Sequence, residues 1–406
     1  MALLDFNVEW ELPTVKIASP KWERMESSMS LFVKDAVCSR GVLLVLGLTA
    51  GVAAAGAMAG CGGSNGSGAF INTVAGTGIE GNSGNGGAAT AAMLGQPTCV
   101  AMDSAGNMYI GDSQFNMVRK VTAATGIISA YAGVSTGIAG YGGDGGLATN
   151  ASLYGPSGCV LDSAGNLYIS DEANNVVRKV TASTGIISTV VGNGDEAGTA
   201  FGGSSGDGGL AIHAELNHPW GLAMDSAGDL FIADTGNYRI QKVNASTGII
   251  TTVASLDNGA NPEGLALDGA GNLYIAEQGD PSDVVKLNLS TGALTVVAGN
   301  RTIGTGGSVV GDGGLATSAV LAEPQGVALD AAGNIFISDT GDQRVREVTA
   351  STGIIKSVVG TTMGYSGGTA THAQLHNPGQ IFFDAAGNLY LADTDNGAVR
   401  KVTGLD

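Results

Sequence analysis

One phrase, repeated six times, constrains this chain more than any other feature. It reads Asp-Ser-Ala-Gly-Asn at 103–107 and 162–166, Asp-Ser-Ala-Gly-Asp at 225–229, Asp-Gly-Ala-Gly-Asn at 268–272, and Asp-Ala-Ala-Gly-Asn at 330–334 and 384–388. Around the third copy, four short apolar runs (221–225, 229–234, 238–243 and 248–254) alternate with turn residues, which predicts a four-stranded meander. In the turns, Asp and Asn side chains bond nearby backbone groups, and the glycine supplies a positive φ that a Cβ disfavours. One such sheet cannot bury its two faces, so repeats of this kind stack around an axis as propeller blades. The expected fold is all-β, a six-bladed propeller running from about Phe70 to Val402, within a domain spanning 69–406.

Counting strands shows how the ring closes. The sixth copy ends after its third strand, Ala398 to Val402, while Phe70 to Ala75 matches the fourth strand of the other copies. The two chain ends are therefore expected to complete one blade together. A second motif occupies the connections between blades, at Asp144–Leu153, Asp207–Leu216 and Asp312–Leu321, with weaker forms at Asn85–Leu94 and Ser366–Leu375. Its spaced alanines and leucine predict one helical turn laid on the rim. Only the connection into the fourth blade lacks it.

The stretches 221–240 and 326–345 resemble the NHL repeat, and the resemblance spans about 330 residues. It implies the same propeller, and the long connections are similar to those of bacterial NHL propellers and of the teneurin propeller, where surface and partner contacts are the implied role. Of the 406 residues 67 are glycine, as many tight turns require, and only 13% are charged. The net charge of -18 repels a phosphate backbone, which excludes nucleic acid as a partner.

Ahead of the repeats, residues 1–60 read as an export region. The apolar stretch Gly41–Gly60 follows Lys34 and Arg40 and ends at Cys61. This layout resembles a bacterial lipoprotein signal, with Met58 where leucine is commonest. The resemblance implies that Cys61 becomes the lipid-modified first residue and that 61–68, rich in glycine and serine, is its tether. The alternative is an uncleaved anchor, since 20 apolar residues suffice to cross a bilayer. Translation starting at Met25 or Met29 would leave residues 1–24 unmade. Both readings place the propeller outside the cytoplasm, in the envelope or secreted, with membrane contact only through the lipid or N-terminal anchor, as a monomer.

Several side-chain sets invite chemistry. Asp112, Asp171, Asp234, Glu277, Asp339 and Asp393 end the second strands, one acid per blade, and could ring a calcium ion or a cationic ligand. Because they recur with the turn itself, capping of each turn is the expected role. Arg119, Arg178, Arg346 and Arg400 recur on third strands and are expected to bond turns or carboxylates. All four histidines lie in two connections, His213 and His218 before the third blade and His372 and His376 before the sixth, opposite each other in a six-fold ring. They are the candidate metal ligands, for zinc. His218, His376 and Trp220 are the candidate ligand-binding residues at the channel mouth. Cys99 and Cys159 sit one residue out of register on neighbouring first strands, so alternation predicts different faces and two free, buried thiols.

No nucleophile elbow, phosphate loop or catalytic triad is apparent. The sequence favours a non-catalytic binding or scaffolding propeller at the bacterial envelope, presenting its long-connection face to a protein or glycan without a cofactor. The alternative, implied by propellers resembling the streptogramin lyases and the peptide-amidating lyase, is a metal-assisted lyase or lactone hydrolase with zinc or calcium at the mouth.

Overall fold

The computed structural model describes residues 68–194, 198, 202–257, 259–304, 306–307 and 309–405. The expectations of an export region at 1–60, of lipid on Cys61 and of a tether behind it fall on residues outside these, up to residue 67. Six antiparallel sheets follow one another along the chain. Blade 2 shows the plan, with an inner strand Pro156–Leu161, then Leu167–Asp171 and Val176–Val180, and an outer strand Ile187–Val191. Inner strands of successive blades lie side by side, and the sixth lies beside the first, so the ring is closed and the fold is a six-bladed β-propeller.

The repeated phrase forms the turn between first and second strands. In all six copies the aspartate Oδ1 accepts the N–H groups two and four residues on, as Asp103 does from Ala105 and Asn107 at 3.0 and 2.9 Å. The glycine adopts φ between 79° and 95°, which is why a residue with a Cβ does not replace it. A second glycine recurs on the inner strands for a different reason. At Gly158, Gly221, Gly264 and Gly326 a Cβ would come within 2.0–2.6 Å of the carbonyl oxygen of Trp220, Glu263, Gln325 and Gly379 on the next blade.

Phe70–Ala75 is the outer strand of blade 6, antiparallel to Ala398–Thr403, with Ile71 opposite Val402 and Thr73 opposite Arg400. Ile71 and Ala75 are fully buried, so the strand is part of the core.

The long connections have two structural tasks. Each carries a short helical turn (Ala89–Ala91, Ala148–Asn150, Ala211–His213, Ala316–Ser318, Ala370–His372) whose alanines and following leucine fill the wedge between two blades. Ala148, Ala151 and Leu153, for example, join the core between blades 1 and 2. Each also runs along the outer edge of the blade it leads into. In blade 2, Gly145 N–H donates to Ile187 O, Ile187 N–H to Gly146 O and Ala148 N–H to Gly185 O, while Asp144 accepts the N–H of Thr189. Asp207 and Asp312 do the same for Thr252 and Ser357. The connection thus pairs a strand edge that would otherwise be open. Blade 4 is reached by residues 256–259, and among the described residues no connection covers its outer edge.

One expectation is overturned. Cys99 and Cys159 form a disulfide, with Cα atoms 5.7 Å apart, a separation that suits the bond. The one-residue offset does send their side chains to different faces of equivalent strands. In a propeller, however, one face of a blade packs on the opposite face of the next, so the offset brings the two sulfurs together instead of separating them.

Candidate functional site at the channel mouth

The ends of the second strands and the starts of the first strands meet on the long-connection face, around the central channel. The acids that end the second strands do not form an open ring. Asp112, Asp171, Asp234, Asp339 and Asp393 are fully buried, and each accepts a backbone N–H from the connection 17 residues upstream: Gly95, Tyr154, Asn217, Ala322 and His376. Three of them also hold a buried arginine of the third strand, Asp171 with Arg178 at 3.2 Å, Asp339 with Arg346 at 3.1 Å and Asp393 with Arg400 at 2.7 Å. Arg178 and Arg346 then reach the connection itself, bonding Asp144 at 2.6 Å and Asp312 at 2.7 Å, and Arg119 bonds Asn85 in the same place. Burial pushes Asp171 up to about 6 and Asp339 up to about 7, against the pull of the N–H donors and arginines. These groups tie turn, strand and connection together and are structural; the arginines bond carboxylates as their recurrence predicted, whereas the acids hold the preceding connection, and Asp171, Asp234, Asp339 and Asp393 make no cap bond to the turn that follows.

The mouth itself is made by the residues that follow the first proline of each inner strand. Thr98, Ser157, Trp220, Glu263, Gln325 and Gly379 occupy equivalent places in blades 1 to 6. Hydroxyls lock the ring from blade to blade: Thr98 donates to Pro156 O at 2.7 Å, Thr235 to Pro262 O at 2.6 Å, Thr340 to Pro378 O at 2.7 Å and Thr394 to Pro97 O at 2.9 Å. Above them lies a cavity of about 220 Å³, whose walls include Trp220, Gln96, Gln325, Gln380, Asn377 and Asp395. The far end of the channel is apolar by contrast, walled by residues such as Val100, Val160, Leu222 and Ile381.

Of the residues singled out in the sequence, Trp220 lines this cavity, and His218 and His376 flank the mouth. His218 Nδ1 stands 3.2 Å from Glu172, and His376 Nε2 stands 3.6 Å from Asp395. His213 and His372 are exposed at the ends of the helical turns. The structure therefore does not gather the four histidines. Among the described residues no group of three or more His, Cys, Asp or Glu side chains is placed to hold a metal ion.

Sequence reasoning missed Glu263. It is buried in the channel wall, its Oε2 lacks a hydrogen-bond partner among the described residues, and burial with the nearby Glu172 raises its carboxyl well above the ordinary range. The signal that marks it is positional: the residue after proline at the head of each inner strand points at the axis, and in blade 4 that residue is an acid.

Segments of the chain match two family models, the NHL repeat over residues 216–243 and the teneurin NHL domain over 284–367. The protein SUPPRESSOR OF QUENCHING 1, chloroplastic, of Arabidopsis thaliana is 26% identical over 271 residues, covering 62% of this chain and 25% of that protein. NHL repeat-containing protein 2 of Bos taurus is 33% identical over 110 residues, 26% of this chain and 15% of its own length. The chain thus spans a quarter or less of the curated relatives it matches. Among solved structures, an auxiliary nutrient binding protein from Bacteroides ovatus superposes with a TM-score of 0.61 at 16% identity, over 83% of this chain and 76% of its own.

Proposed function

Since this chain is a β-propeller built of NHL repeats, we propose that it is a non-catalytic binding propeller held at the bacterial cell envelope, presenting its long-connection face to a glycan or protein. The observation that carries this reading is the channel-mouth cavity: one indole, several carboxamides, hydroxyls and carboxylates converge on it. That chemistry suits the hydroxyls and apolar ring face of a sugar. The solved propellers of similar fold include proteins described as auxiliary nutrient binding proteins, which agrees with it. The lyase or lactone hydrolase alternative calls for a metal, and among the described residues no group of three or more His, Cys, Asp or Glu side chains is placed to hold one.

Trp220 is the only tryptophan beyond residue 22, so in the protein lacking the export region its emission reports on the mouth directly. Titration with a soluble glycan panel is expected to change that emission saturably for at least one member, and Gln325→Ala is expected to weaken the response. A zinc response abolished by His218→Ala would instead support the metal-assisted alternative.

Export is supported by the Cys99–Cys159 disulfide, because such bonds persist in oxidising compartments. Attachment through Cys61 rests on the small residues before it and the glycine-rich stretch behind it. Cells fed labelled palmitate are expected to label the protein, and Cys61→Ser is expected to remove both label and membrane retention; label persisting in that variant contradicts lipid attachment.

A further inference from the structure

The missing connection makes blade 4 different from every other blade in two ways that meet at one place. Among the described residues no connection pairs with its outer strand, Leu294–Ala298. By register, Leu294 and Val296 correspond to Ile187 and Thr189 of blade 2, whose outward backbone groups bond the connection. The outward N–H and C=O of Leu294, the C=O of Gly292 and the N–H of Val296 make no hydrogen bond among the described residues. The side chains along this edge are exposed or half-buried at Leu294, Thr295, Val296 and Val297.

The second difference is electrostatic. Four third strands carry an arginine at one register position, and in blade 3 Arg239 reaches Asp234 from two residues away at 2.6 Å. Blade 4 has Val285 in the arginine's place, opposite Val296. Its acids are nevertheless doubled, since Glu277 and Asp283 are cross-strand partners and both are buried. Asp283 is fully buried, and neither of its oxygens accepts a hydrogen bond from an N–H or hydroxyl among the described residues. Burial and Asp283 together push the Glu277 carboxyl up to about 9. Arg301 stands at the edge of this pair, paired with the exposed Asp257, and its Nε is 3.9 Å from Asp283, beyond hydrogen-bond reach. A cavity of about 200 Å³ remains, walled by Glu277, Val285, Leu294, Val296, Asp257 and Arg301.

We propose that the outer edge of blade 4 is a docking site for an extended segment of a partner protein, which pairs with Leu294–Val296 as an added strand and sends a basic side chain into the cavity toward Glu277 and Asp283. The segment takes the place that the chain's own connections take in the other blades, and its Arg or Lys takes the place of Arg178 or Arg346. Main-chain pairing gives the affinity and the cavity selects the side chain. A second copy of this chain is a poor occupant, because it would bring the same acids and the same excess of negative charge to the edge.

The test uses the full-length protein and fluorescein-labelled nonapeptides that alternate threonine and valine about one central residue. The peptide with a central arginine is expected to bind saturably by anisotropy, and its central-glutamate counterpart about tenfold more weakly or less. N-methylation of alternate backbone nitrogens should abolish binding. Val296→Pro deletes an outward N–H, which edge strands tolerate, and is expected to remove binding while the melting temperature holds. Val285→Arg, which rebuilds the arginine of the other blades, is expected to erase the preference for arginine and serves as the second variant if Val296→Pro unfolds. Trp220→Ala is the control whose edge binding is unchanged. Equal binding of the arginine and glutamate peptides, arginine preference surviving Val285→Arg, or self-association that Val296→Pro dissolves would overturn the proposal.

Discussion

Deleting residues 61–77 is expected to lower the unfolding free energy by several kcal/mol, while deleting 61–67 alone leaves the melting temperature nearly unchanged. The longer deletion removes the strand Phe70–Ala75 and with it the fully buried Ile71 and Ala75 and the half-buried Val74. A fully buried aliphatic side chain of isoleucine size contributes about 1.5–3 kcal/mol. The loss does not stop there, because Val399 and Val402, now fully buried against this strand, would face solvent along an unpaired edge. Arg400 would also lose its cross-strand neighbour Thr73. Set against a usual total of about 5–15 kcal/mol, such a loss threatens the whole ring. Thermal and urea denaturation of the two deletions decide it. Equal stability of both would mean that the ring does not depend on the pairing of its ends.

Arg178→Met should be nearly as damaging. The guanidinium is fully buried and bonds Asp171, Asp144 and the carbonyls of Gly142 and Ser152. Removing it leaves Asp171 inside the blade without its cation, a loss of about 3–5 kcal/mol for comparable buried pairs. The connection loses its anchor as well. Adding Asp171→Asn is expected to recover part of the stability, since a neutral amide no longer needs the cation but still accepts the Tyr154 N–H. Urea midpoints for the single and double variants measure this. Additive losses would show that the arginine acts on something other than the acid.

The architecture was legible because local chemistry repeats with the period of the fold. Asp-x-Ala-Gly followed by Asn or Asp demands one turn, and six copies of that turn leave little freedom except a closed ring. The N-terminal latch could be read by counting strands, and the helical turns by the spacing of Ala148, Ala151 and Leu153. What escaped was whatever depends on how one blade meets the next. The offset of Cys99 and Cys159 argued against a bond only while side-chain alternation was taken alone; packed face to opposite face, the same offset brings the two sulfurs together. Glu263 escaped because strand alternation alone does not say which position after the proline turns toward the axis. The absent motif before blade 4 was visible in the sequence, but that the motif covers a strand edge and meets an arginine is a fact of three dimensions. The four histidines lie in two connections by sequence, and the helical turns leave His213 and His372 exposed, apart from His218 and His376 at the mouth.

The account turns on a channel mouth that binds without transforming what it binds. The most direct measurement is isothermal titration of the best glycan ligand into the protein and into Trp220→Ala, in buffer containing a strong chelator, followed by recovery of the ligand and its mass. The account predicts saturable binding with the chelator present, a marked weakening in Trp220→Ala, and ligand recovered with its mass unchanged. Binding that disappears with the chelator, or a ligand recovered cleaved or ring-opened, would contradict it.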